Sequence, residues 1–168
     1  MPSKVNIQVP RSLWTTKDSS NLAMNTLASI KLRTSNGIDA HGAKFKKYST
    51  KPLYVSKRGA RLKPKGGEPT ESGKGVFYDG GYRQYKHESR KRGSSSDSAE
   101  VDLVLSGNMM NNLEVKDATP TGFVIGLNQH AQYGYIVNET REFLGLSPKD
   151  VDILVKTIEI EVRKKIAK

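Results

Sequence analysis

Three stretches of this chain hold residue types that could do chemistry. Gly67-Glu-Pro-Thr-Glu-Ser-Gly73-Lys74-Gly75 has the glycines and the lysine of a loop that cradles phosphate. It has one residue too many between the glycines, and Gly75 stands where a serine or threonine must hold magnesium. No apolar strand precedes it either, so the stretch is not a nucleotide site.

Ser106-Gly107-Asn108 follows an alternating run and raises the question of a presented nucleophile. A serine nucleophile needs a base, an orienting acid and an oxyanion hole. Ser106 lacks the paired glycines of G-x-S-x-G, and no histidine lies near it in sequence. Ser106 or Asn108 reads instead as the cap of a short helix carrying Met109, Met110 and Leu113 on its apolar side. The histidines, His41, His87 and His130, fall in separate elements without metal-ligand spacing, and the chain has no cysteine. They read as surface or boundary residues. The sequence thus points to no catalytic residue, metal or cofactor.

The third stretch is a matter of charge. Residues 41–93 hold 15 Lys/Arg against 4 Asp/Glu, a net of +11, while the remainder holds 13 of each. All of the excess charge therefore sits in one internal segment. Its basic residues include Lys44, Lys46, Lys47, Lys57, Arg58, Arg61, Lys63, Lys65, Arg90, Lys91 and Arg92, all candidates for contact with an acidic partner or DNA. Five of the seven tyrosines lie there too, too many aromatics for ordinary disorder. The segment, taken as residues 41–98, predicts an extended basic arm that becomes ordered on a partner, with Phe77, Tyr78, Tyr82 and Tyr85 as packing anchors. Interleaved tyrosines and cations could also track phosphates and stack bases, although no nucleic-acid recognition module is present.

The elements around this segment follow from periodicity. At 168 residues the chain suits a single domain. Residues 3–9 alternate as an edge strand does. Leu22, Ala23, Thr26, Leu27 and Ile30 make the stripe of a helix over 19–33, capped by Asp18 or Ser19 and stopped at Asn36-Gly37. Val101, Leu103 and Leu105 alternate as in a half-buried strand. Residues 113–116 and 122–126 flank Thr119-Pro120-Thr121 as a hairpin, and Asn128 can cap a short helix reaching about Val137.

The last helix is the clearest. Ser147 caps it, Pro148 fits its first position, and Asp150 faces the helix dipole. Val151, Leu154, Val155, Ile158, Val162 and Ile166 form its stripe, with pairs Glu159–Arg163 and Glu161–Lys165. Ile153 and Ile160 lie off that stripe, either widening the core face or marking a second face that meets a neighbouring subunit. Together the elements predict an α+β fold, a small antiparallel sheet packed with an N-terminal and a C-terminal helix. No secretory leader is evident and no apolar run reaches the roughly 18 residues of a membrane span, so a soluble protein without membrane contact is expected.

Five pieces, in order, carry a resemblance: Gly42-Ala-Lys-Phe45-Lys-Lys-Tyr48-Ser49, Gly80-Gly81-Tyr82-Arg-Gln-Tyr85-Lys86, Val101-Asp-Leu-Val-Leu-Ser-Gly107-Asn-Met-Met110, Gly122-Phe-Val-Ile-Gly126 and Arg141-Glu-Phe143-Leu144-Gly145-Leu146-Ser147. Together they resemble the tail-completion or neck proteins of long-tailed bacteriophages, in the broad group that includes phage Mu-type virion morphogenesis proteins. The sequence departs from that pattern at Met109-Met110, where a leucine is frequent, and in a glycine-rich insertion at 57–75. The resemblance implies a structural virion protein, not an enzyme, forming a six- or twelve-fold ring at the head–tail junction. Its partners would be the connector and the tail terminator or tail tube, with genome DNA in the bore. It would form in the host cytoplasm during assembly. A tail terminator ring, or a basic nucleic-acid-binding protein, is the alternative. Arg141 and Phe143 would fix the final strand and helix, an ordinary core or surface role being equally open.

Overall fold

The computed structural model describes residues 3–6, 13–60, 62–90 and 101–167. In chain order the elements are β1 (Ser3–Asn6), α1 (Thr16–Ser35), β2 (Leu53–Ser56), β3 (Glu68–Pro69), β4 (Gly75–Tyr78) and α2 (Gly81–Ser89). They continue with α3 (Asn108–Asn111), β5 (Leu113–Thr119), β6 (Gly122–Leu127), a 3-10 turn (Gln129–Ala131), α4 (Tyr133–Thr140) and α5 (Pro148–Ile166). The fold is α+β, with two small antiparallel sheets in the orders β1-β6-β5 and β2-β4-β3.

The main body is built on the β5–β6 hairpin. Its alternation buries Leu113, Phe123, Ile125 and Leu127 against α1, and β1 completes the sheet by pairing Val5 with Phe123. A bulge between Val115 and Asp117 shifts the register of the hairpin. Helix α1 starts at Thr16, about one turn before the predicted start at residue 19. Thr15 caps it, taking the Asp18 backbone N–H, while the Asp18 carboxylate accepts from the Thr15 backbone N–H at 2.8 Å. Asp18 is thus the third residue of a capping box and not the cap. Ser19, the other predicted cap, is buried and accepts a 2.8 Å bond from Trp14 Nε1.

Helix α5 begins with the predicted Ser147 cap and Pro148, and Asp150 completes a second capping box. It lies antiparallel to α1. Asp150 near its start takes Arg33 from the end of α1, and Lys165 near its end reaches Asp18 at the start of α1. Lys165 therefore pairs across helices, and Glu161 pairs instead with Lys164, one position nearer, at 2.7 Å.

The segment expected to be an extended arm is a folded lobe over its described part. Strands β2, β3 and β4 form its sheet, and α2 covers it. Val76, Tyr78 and Tyr85 are buried together, with Leu53, Val55, Leu62, Tyr82 and Leu105 packed around them. The tyrosine hydroxyls fix the intervening loop: Tyr78 donates to the Lys65 carbonyl at 2.8 Å and Tyr85 to the Leu62 carbonyl at 2.7 Å. The aromatic residues thus give the basic segment a core of its own. Phe77 is the exception among the predicted anchors, since strand alternation turns it outward with 37% of its surface exposed. Gly81 opens α2 at φ +67°, and a Cβ there would stand 2.3 Å from the Lys51 carbonyl oxygen. That contact fixes the 49–51 backbone against the helix.

Residues 101–105 do not form the predicted strand. Asp102 is drawn inward by Lys86 and Arg90, Leu103 takes a left-handed φ of 53°, and its N–H is bonded to the Tyr48 hydroxyl at 3.2 Å. These side-chain partners replace a sheet ladder. The helix α3 that follows is capped by Gly107, left-handed at φ 83°, with no side-chain cap bond. Ser106 lies one residue further out and accepts only a 3.4 Å bond from the Asn108 N–H, while Asn108 is already helical.

Candidate interaction surfaces

Two buried ion networks decide how the outer surfaces are held. In the main body, Arg33 donates to Asp150 and also to the carbonyls of Phe143 and Gly145 at 2.8 and 3.0 Å. Phe143 is fully buried, a core residue that sets the approach to α5. Burial opposes ionisation of Asp150, but bonds from Ser147 and Ser29 and the charge of Arg33 outweigh it and lower its pKa.

The second network sits on the seam between lobe and body. Lys86 of α2 is 2% exposed and donates to Asp102 and, at 2.9 Å, to the Tyr48 hydroxyl. Arg90 takes the other Asp102 oxygen at 2.8 Å. Burial depresses the Lys86 pKa more than Asp102 raises it. Arg90 is thus engaged inside the molecule, contrary to its reading as an outward contact residue. Arg61, Lys91 and Arg92 lie outside the described residues.

The other predicted basic residues do face outward. Lys44, Lys46, Lys47, Lys57, Arg58, Lys63 and Lys65 are all exposed, as are Lys51, Lys74 and Arg83. Among the described residues none of these ten forms an ion pair. Lys44, Lys46 and Lys47 stand on either side of Phe45, which is buried and anchors their segment. Lys57 and Lys74 are adjacent across the sheet, where the Lys57 N–H meets the Lys74 carbonyl at 2.9 Å. The exposed acidic residues of the described lobe are Glu68, Glu71 and Asp79. The lobe therefore carries a strongly positive exterior, held by a rigid frame and not by a loose chain.

Helix α5 supplies a surface of opposite character. Its inner face is Leu154, with Ile158 and Val162 partly covered. Ile153 and Ile160 are 48% and 53% exposed, so they do not widen the core face. Being seven residues apart, they share one shoulder of the helix. Val151, Val155 and Ile166 are exposed too, on the other shoulder, although all three belong to the predicted stripe. On α1, Met24 and Leu32 are also in solvent, and Met24 borders a groove shared with Thr157 and Glu161 of α5. The two outer helices thus present apolar side chains on both sides of their own contact.

A third feature, invisible to sequence periodicity, is a cavity of about 420 Å³ on the seam. Tyr48, Tyr82 and Tyr133 bring rings to it, Leu105 and Met109 bring aliphatic surface, and Arg141 brings a cation. Arg141 stacks over the Tyr48 ring, its Cζ 5.2 Å from the centroid. Lobe and body both contribute to it, and the Asp102 network joins the two. The three histidines are exposed, and among the described residues no three His, Cys, Asp or Glu side chains converge as a metal site would require. No helix among the described residues is long and apolar enough to cross a membrane. No family model, curated protein or solved structure matches the chain.

Proposed function

We propose that this chain is a structural subunit of a phage particle, assembling as a ring at the head–tail junction and joining connector to tail around the DNA channel. The ordered set of sequence pieces from Gly42 to Ser147 supports the reading. The observation that carries it in three dimensions is the outer helical layer, where five apolar residues of α5 stay in solvent. Apolar side chains at that density on one helix suit a subunit contact. The positive lobe would meet acidic surfaces of neighbouring head and tail proteins, or the DNA within the bore. Ring closure requires a head-to-tail contact between unlike surfaces of adjacent copies.

The test is the mass of the purified protein by sedimentation, with its position located by electron microscopy of the particle. A closed oligomer, and density for the subunit between head and tail, is the expected result. A subunit that stays monomeric at high concentration, or a position elsewhere in the particle, would overturn the reading. A tail terminator is the variant of this proposal that differs by position alone, and the same map separates the two.

The ten exposed cations that form no ion pair among the described residues favour one second reading, a nucleic-acid-binding protein. Affinity for duplex DNA across a salt series separates it from the first. A phosphate-tracking surface loses affinity steeply as salt rises, with a slope set by the number of phosphates neutralised.

A further inference from the structure

The seam cavity combines three properties that together select a ligand. It is lined mainly by apolar and aromatic surface, and its volume of about 420 Å³ lies in the range of small-ligand pockets. It is preformed: Tyr48 is held by Lys86 and by the Leu103 N–H, and Tyr82 packs edge-on against it at 5.1 Å. It also has a donor. Arg141 lines the cavity with its Nε shielded and, among the described residues, without a hydrogen-bond partner, so its terminal nitrogens are what a ligand meets, and Nη2 reaches the Lys47 carbonyl only at 3.5 Å.

A carboxylate is the geometric match of the terminal nitrogens of a guanidinium that lines an otherwise apolar cavity. The cavity wall includes Leu103, whose left-handed backbone at φ 53° is an outlier for a branched residue. Backbone strain of this kind collects where a site must be held in shape.

The geometry points to a docking socket for an apolar, preferably aromatic, side chain flanked by carboxylates on an acidic segment of another protein. The side chain enters between Tyr82, Tyr133 and Met109, and a flanking carboxylate meets Arg141. Exposed Lys46 and Lys47, on the segment that contacts Arg141, attract further acidic residues. The basic lobe of a second copy is a poor occupant, because it carries the same positive exterior. A nucleobase fits less well. The Tyr48 and Tyr82 rings meet at 64°, and Arg141 and Lys86 lie against Tyr48, which leaves no parallel stacking slot there. The inference stands on the cavity and its donor and does not depend on the virion reading.

The test uses the full chain and short synthetic probes followed by nuclear magnetic resonance. Acetyl-Glu-Phe-Glu-amide is expected to shift the ring signals of Tyr48, Tyr82 and Tyr133 with roughly millimolar affinity. Its phenyl ring should show magnetisation transfer to the Met109 methyl group. Acetyl-Glu-Ala-Glu-amide and acetyl-Lys-Phe-Lys-amide should each bind about tenfold more weakly or worse. Ser106→Trp, at the exposed mouth, should weaken the first probe about tenfold with the thermal midpoint unchanged. If that variant misfolds, the transfer to Met109 in the parent protein decides alone. Equal binding of the alanine probe, no ring shifts with the first probe, or the same shifts produced by an oligothymidylate would overturn the proposal.

Discussion

Lys86 and Asp102 form an ion pair across the seam between lobe and body, with both side chains almost wholly enclosed. The pair joins α2 to residues 101–105, whose alternation reads as a half-buried strand. Breaking a buried pair on one side leaves an uncompensated charge. Asp102→Ala removes the acceptor of both Lys86 and Arg90, and it should destabilise the protein by about 3–5 kcal/mol. Lys86→Met keeps Asp102 paired with Arg90 and removes a poorly solvated charge, so it should cost much less. Urea unfolding of the two variants measures the difference. Equal losses would show that Asp102 does not organise the seam.

Lys86 also gives an alkaline signature. Its pKa is lowered in the folded protein, so between that value and its ordinary value the unfolded chain binds more protons. Stability from this group therefore rises with pH through that window. Lys86→Met should remove the rise. The check is unfolding free energy against pH on the alkaline side for the parent and the variant, with an unchanged slope counting against the assignment.

The capping boxes predict the acid limb. Burial raises the pKa of Asp18, but hydrogen bonds from Lys165 and Thr15 and the Lys165 charge outweigh it and bring it to about 2. Asp150 is lowered as well. Both groups have depressed folded values, so their stabilisation is present above the ordinary 3.8 and lost as pH falls toward the folded value. For Asp18 this is at most about 2 kcal/mol, given its partial exposure. Thermal midpoints should fall as pH is lowered from about 5 to about 2, and Asp18→Asn with Asp150→Asn should flatten that fall.

Gly81 tests the lobe frame. Its positive φ and the Lys51 carbonyl 2.3 Å from a built Cβ make alanine unfavourable twice over. Gly81→Ala should destabilise by about 2–3 kcal/mol, with faster amide exchange in residues 49–55 before the main body loosens. Uniform exchange throughout would mean that lobe and body unfold as one unit.

Ile153 and Ile160 separate folding from assembly. Both are about half exposed, so Ile153→Ser with Ile160→Ser should change monomer stability by no more than about 0.5 kcal/mol per site. On the ring reading the same changes should shift sedimentation toward the monomer. Unaltered oligomer size in the double variant would remove this shoulder of α5 from the contact.

Much of the body was legible because its elements repeat a pattern. The hairpin alternates, α1 carries a stripe, and Ser147-Pro148 marks the start of α5. What periodicity could not show was anything decided across the chain. Val101, Leu103 and Leu105 alternate as a strand does, yet Asp102 is claimed by Lys86, and that partner is set by the tertiary fold. The basic segment hid its structure for a related reason: its core is made of tyrosines and short strands, so charge dominates its composition. The cavity with Arg141 had no local signal, since its walls come from residues 48 to 141. On α5, the exposed valines and isoleucines show that a regular apolar stripe can outrun the core available to cover it.

The antiparallel clasp of α1 and α5 also fixes an order of events during synthesis. Residues 18 and 33 find their ion partners at 165 and 150, and the first strand finds its neighbour at 122–125. On a ribosome, α1 emerges long before anything that covers it. Apart from Leu105, the lobe draws its tyrosine core from residues 53–85, so most of that core is available while the rest is still being made. Its positive exterior is then the first folded surface the nascent chain offers, while the body waits for the final helix.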